Sequence, residues 1–151
     1  MKKFLFFLMM LVTVTTYSQT SAPDYDSVLA KSLGADDYGM KKYMFVLLRT
    51  GPKTITDKAL QDTIFKEHLN NINRLAEEGK LVVAGPFLKN DKSYRGIFIL
   101  NLPTKEEAEK LLLTDRAIKE QLLKAEIIPW YGSAALPIYL NYSKKIEKLR
   151  H

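Results

Sequence analysis

The 151-residue chain contains no cysteine. That absence excludes disulfides, thiolate nucleophiles and thiolate metal sites, so the fold must rest on packed apolar side chains. Histidine is nearly as scarce, with only His68 and the last residue, His151. One usable histidine and no clustered carboxylates leave too few ligands for zinc, so no metal is expected. No Gly-rich phosphate loop is present. The basic residues are spread out, apart from Lys41-Lys42 and the group Lys144, Lys145, Lys148 and Arg150. They form no stripe interleaved with aromatics, so no nucleic-acid partner is expected. Beyond the first residues no apolar run is long enough to span a bilayer.

What is there begins with a targeting segment. Lys2 and Lys3 make a charged start, Phe4 to Val12 an unbroken apolar run, and Thr16 and Ser18 the small residues before a cleavage point. This pattern predicts a secretory signal peptide over residues 1–18, cut between Ser18 and Gln19, and an exported protein, periplasmic or extracellular. The run is too short for a permanent span. Without Lys2 and Lys3 the count is 21 basic against 17 acidic residues, a mild net charge of +4 in place of +6. Residues 19–151 suffice for one compact domain.

Punctuation residues divide the rest. Asp24 to Leu33 reads as a small helix stopped by Gly34, within a leader over residues 19–41. Tyr43 to Leu48 (YMFVLL) reads as a strand ended by Gly51-Pro52. Asp57 caps a long helix over Lys58 to Glu78, closed by Gly79 at the C′ position. Lys80 to Ala84 is a second strand, with Gly85-Pro86 as its terminator. After the turn cluster at Asn90 to Ser93 comes a third strand, Tyr94 to Asn101. Thr104 and Glu107 form a capping box for a helix to about Leu113. A short helical piece, Asp115 to Leu122, precedes a fourth strand, Lys124 to Trp130, where Pro129 suggests a sheet edge. Leu136 to Leu149 reads as a terminal helix, within an extension over residues 133–151.

From Tyr43 onward the order is β-α-β-β-α-β, the ferredoxin-like split unit of the α+β class. Its helices cover one sheet face, yet YMFVLL, LVVA and IFIL are apolar at successive positions, so both faces need cover. A second copy of the chain supplies that cover most simply, giving a dimeric α+β barrel, with the terminal helix as the rival cover.

His68 stands out within this frame. It falls on the apolar stripe of the long helix, in line with Leu60, Ile64 and Ile72 at four-residue steps. A polar ring on a buried face is either a hydrogen-bonded core residue or a group with a chemical task.

The segment from His68 to Phe87 (HLNNINRLAEEGKLVVAGPF) resembles the YCII-related (YciI-like) family. That family combines a histidine near the start of its long helix with Gly-Lys/Arg-Leu and Ala-Gly-Pro, here Gly79-Lys80-Leu81 and Ala84-Gly85-Pro86. A second matching region runs from Thr114-Asp115 to Ile128-Pro129-Trp130-Tyr131-Gly132. The resemblance implies a domain over residues 42–132 that forms a dimeric ferredoxin-like barrel, with a His–Asp pair in a cleft. Carried over by position, the pair is His68 and Asp115. Arg116 departs from the pattern, since the family usually has Pro after the aspartate. Barrels related to this family bind haem, but no residue besides His68 supports a haem here, and no cofactor is expected.

A carboxylate on one imidazole nitrogen fixes the tautomer and leaves the other nitrogen to take or give a proton. No nucleophile motif accompanies the pair. The fitting reaction class is proton abstraction next to a carbonyl or on a hydroxylated ring, leading to isomerisation or elimination on a small, flat substrate. Phe45, Phe98 and Trp130 are candidate cavity walls, with core packing as the plain alternative. Arg49 and Arg95, at strand ends, are candidates to hold an anionic group, or else solvated ends. Gly85-Pro86 is expected to shape a turn beside the site or simply to end a strand. The competing readings are a non-catalytic small-ligand or interaction module, and a purely structural His–Asp link.

Overall fold

The computed structural model describes residues 22–149. The expected signal peptide, its cleavage point and His151 lie outside the described residues. The elements are α1 (Ser27–Leu33), β1 (Met40–Thr50), α2 (Lys58–Glu77), β2 (Leu81–Pro86), β3 (Tyr94–Leu100), α3 (Lys105–Leu112), α4 (Arg116–Lys119) and β4 (Leu123–Ser133). A 3-10 turn over Leu136–Tyr139 then runs into α5 (Leu140–Ile146).

The strands form one sheet in the order β2-β3-β1-β4, with every neighbouring pair antiparallel. This is the α+β ferredoxin-like arrangement: β3 lies between β1 and β2, which α2 connects. Caps fix the helices where the sequence places them. Asp57 accepts from the backbone N–H groups of Ala59 and Leu60 to start α2, and Gly79 takes the left-handed φ of 68° just past its end. Thr104 accepts from the Glu107 N–H to start α3.

Three stretches depart from the sequence reading: the end of β2, the leader helix and the terminal helix. Gly85-Pro86 does not end β2 but continues it, with Pro86 opposite Gly96. β2 is an edge strand, so the missing N–H of Pro86 costs no ladder bond on the open side. Gly96 is required there, because a Cβ on it would come within 2.7 Å of the Gly85 carbonyl oxygen. Pro129 lies on the other edge strand, β4, as its place in the sequence suggests. The leader helix starts at Ser27, capped by Asp26, rather than at Asp24. The long terminal helix over Leu136–Leu149 is not formed. Pro137 sits in the first turn of a 3-10 segment without a side-chain cap, and the α-helical part ends at Ile146 before an extended Glu147.

Strand alternation sorts β1 into two sets. Met44, Val46 and Leu48 face the helices and pack with Phe98, Leu100 and Leu123 against Ile64, Leu75 and Leu112. Fully burying side chains of this size stabilises by about 1.5–3 kcal/mol each. Tyr43 faces the other way, with Val82, Ile99 and the partly buried Phe45, Val83 and Leu136. The segment after β4 thus covers part of the second face. Ile128, Trp130 and Tyr131 on or beside that face stay exposed.

Candidate functional site

α2 delivers His68 into the interface between helices and sheet. The turn between α3 and α4 delivers Asp115 to the same place. His68 Nδ1 lies 2.6 Å from Asp115 Oδ2, and the aspartate is 1% exposed. An unpaired carboxylate at such a depth would cost several kcal/mol, so its partners matter. Oδ1 accepts from the backbone N–H groups of Ala117 (3.0 Å) and Ile118 (3.3 Å), which makes Asp115 the N-cap of α4. Oδ2 accepts from His68 and, at 3.5 Å, from the Asn71 amide. Asn71 is itself held by Arg74 and Thr114.

With Nδ1–H donated to the carboxylate, the neutral ring carries its lone pair on Nε2. Nε2 has no hydrogen-bond partner among the described residues, yet it is not a sealed, unsatisfied atom, and His68 lines a cavity. The ring is held flat against Phe98 (centroids 6.0 Å, 27° between planes) and edge-on to Phe65 (6.1 Å, 83°). The cavity holds about 470 Å³ and is bounded by α2, the Ala84-Gly85-Pro86 stretch of β2, and β3. A larger groove of about 760 Å³ runs between α3 and β4, but it is shallower and holds neither His68 nor Asp115.

Arg116, which stands where Pro is usual, leaves the Asp115 geometry intact. Asp115 keeps extended backbone (φ −86°, ψ 120°), and Arg116 pairs with Glu120 at 2.6 Å and with Glu67 on α2 at 3.0 Å. The second pair ties α4 to the residue next to His68. These ion pairs hold the Arg116 guanidinium above its ordinary pKa.

The sequence candidates divide between the two sheet faces. His68, Gly85, Pro86, Arg95 and Phe98 line the cavity, with Asp115 behind the histidine. Arg95 reaches it through a bulge: Leu48 pairs with Gly96 and Arg49 with Tyr94, so Arg95 is left unpaired between them. Such an extra residue re-aims its side chain relative to strict alternation. Arg49, Phe45 and Trp130 do not line this cavity. Arg49 pairs with Glu126 at 2.9 Å and lies over the Tyr94 ring. Trp130 tilts against Tyr43, and Phe45 packs with the cluster of Tyr43 and Ile99. All three sit at odd positions of β1 or opposite them on β4, so period-two alternation turns them away from α2. Gly85-Pro86 borders the cavity as strand, not as a turn. Reading the sequence alone passes over Phe65 and Asn71. Their three-residue spacing on either side of His68 is the signal that would have found them.

The protein is thus a ferredoxin-like α+β domain with a histidine–aspartate pair at a small cavity. The YCII-related domain model matches residues 42–131, more than half of the chain, and the chain belongs to that family. No curated protein matches it. Among solved structures it is similar to 5-chloro-2-hydroxyhydroquinone dehydrochlorinase from Burkholderia phenoliruptrix AC1100, in complex with 2,5-dihydroxybenzoquinone. The identity is 20%, the TM-score 0.42, and the match covers 58% of this chain and 92% of that one.

Proposed function

We propose that the protein is a small exported enzyme that performs acid–base chemistry on a small, flat substrate, with His68 Nε2 as the proton-transferring atom and Asp115 as its orienting partner. The observation that carries this reading is the division of the imidazole: Nδ1 engages a buried carboxylate at 2.6 Å, Nε2 has no partner among the described residues, and the residue lines the cavity. A general base needs that arrangement, a fixed ring with one free nitrogen in reach of a substrate. The Phe98 and Phe65 rings favour a flat, partly apolar ligand. Arg95 at the cavity suits an anionic or carbonyl group. Gly85-Pro86 forms a wall without bulky side chains. Lyase or isomerase chemistry fits best, since no nucleophile accompanies the pair. Arg49 and Trp130 are not part of this cavity in one chain.

The test is turnover of a panel of flat hydroxylated and carbonyl compounds by the mature protein. His68→Ala should lower the rate by about 10²–10⁴-fold, the usual worth of a positioned acid or base. Binding without turnover in the wild type would instead make the protein a non-catalytic ligand module. Export is part of the proposal and rests on the Lys2 to Ser18 pattern. N-terminal sequencing of protein recovered outside the cytoplasm should begin at Gln19; an intact Met1 in cytoplasm would refute it. A homodimer also belongs to the proposal, supported by the apolar second sheet face.

A further inference from the structure

The family domain ends at residue 131, but the chain continues, and that continuation returns to the cavity. After β4 the segment seats Leu136 on the second sheet face beside Tyr43 and Ile99. Lys144 of α5 then pairs with Glu77, near the end of α2, at 2.8 Å. Glu147, just past α5, lines the same cavity as His68 and Arg95. The segment is a lightly seated strap: α5 buries no residue, Ile146 is 84% exposed, and the ion pair of Lys144 with Glu77 is open to solvent. Glu147 and Arg95 border one cavity without forming an ion pair with each other among the described residues. Both are solvent-exposed and so within reach of a ligand in the cavity.

We propose that the segment Leu136–Glu147 is a strap that completes the cavity, and that Glu147 is the specificity-determining residue it delivers. Together with Arg95 it selects a small, flat ligand that carries both a cationic or hydrogen-bond-donating group and an anionic group. This inference rests on the reading of the His68 cavity as a ligand site. Without Glu147, Arg95 stands unopposed and the site prefers plain anions.

The test uses three probes of one shape: benzoate, benzylamine and the zwitterion 4-(aminomethyl)benzoate, followed by the His68 ring resonances. Wild type should bind the zwitterion tightest. Glu147→Gln should weaken the zwitterion and benzylamine by about tenfold, the effect of one nearby unit charge in a half-open cleft, and spare benzoate. Arg95→Gln should weaken the zwitterion and benzoate instead. Equal effects on all three probes, or none, would overturn the role of Glu147 while leaving the ligand site standing. If no probe moves His68 in the wild type, the ligand-site reading fails and this inference with it. A ligand-free measurement separates the strap from the site. The chain has no cysteine, so a nitroxide on Ile146→Cys is unique. It should broaden the His68 signals, and less so when Lys144→Ala removes the ion pair. Unbroadened His68 signals would show that the strap does not lie over the cavity.

Discussion

Asp115 divides its carboxylate between two tasks. Oδ1 caps α4 and Oδ2 holds His68, so the residue that starts a helix also sets the direction of an imidazole. Position and family pattern made the pair legible in the sequence, but not the role of Arg116. The structure explains why the missing proline does no harm. The backbone N–H of residue 116 makes no hydrogen bond among the described residues, as expected at a first helical position, and Asp115 already has the extended backbone that a following proline imposes. Arg116→Pro should therefore be tolerated. It loses solvent-screened ion pairs, which contribute little, and gains from a stiffer unfolded chain. Chemical denaturation should show a change within about 1 kcal/mol, and a loss of several would mean that the ion pair with Glu67 holds the site. Arg95 shows what a sequence conceals: its place at the cavity depends on a bulge, and only pairing between strands creates one.

The helices were easier to read than the strand ends. Asp57, Gly79 and Thr104 act through bonds to residues within four positions, so local sequence contains the whole signal. β1 and β4 each run to 11 residues, beyond their apolar cores, because pairing with each other extends both. Gly85-Pro86 reads as a terminator in the sequence but is strand in the fold for the same reason, since a proline breaks a central strand but not an edge. Gly51 is the element-scale weak point. Its N–H donates to the Leu122 carbonyl at 2.7 Å, and a Cβ there would collide with the Gln121 carbonyl oxygen. Backbone on both sides leaves no flexible side chain to yield. Gly51→Ala should cost about 3 kcal/mol by overpacking and shift the turn between α4 and β4. Unfolding in urea measures the cost, and a neutral result would mean that the contact relaxes freely.

At the scale of the molecule, one sheet face lies under helices and the other is only partly covered. The successive apolar residues of YMFVLL announced that both faces need cover. They did not reveal that Leu136 of the strap would take one end of the second face. Ile128 and Trp130 remain 43% and 38% exposed there. The proposed second copy would bury them. Sedimentation equilibrium of the mature protein should give twice the chain mass, and Ile128→Glu should yield a folded monomer by placing a charge in the interface. A monomeric wild type would refute the dimer and leave the strap as the principal cover. The cavity lies on the helix side of the sheet, so the fate of the second face is a separate question from the chemistry at His68.

In the proposed chemistry Asp115 orients His68 so that Nε2 is the atom free to meet a ligand. Ring ¹⁵N NMR of the mature protein, at a pH where the imidazole is neutral, tests it most directly. His68 should show one tautomer, protonated at Nδ1, which becomes a mixture or reverses in Asp115→Asn. A ring protonated at Nε2 in the wild type, or a tautomer indifferent to the substitution, would contradict it.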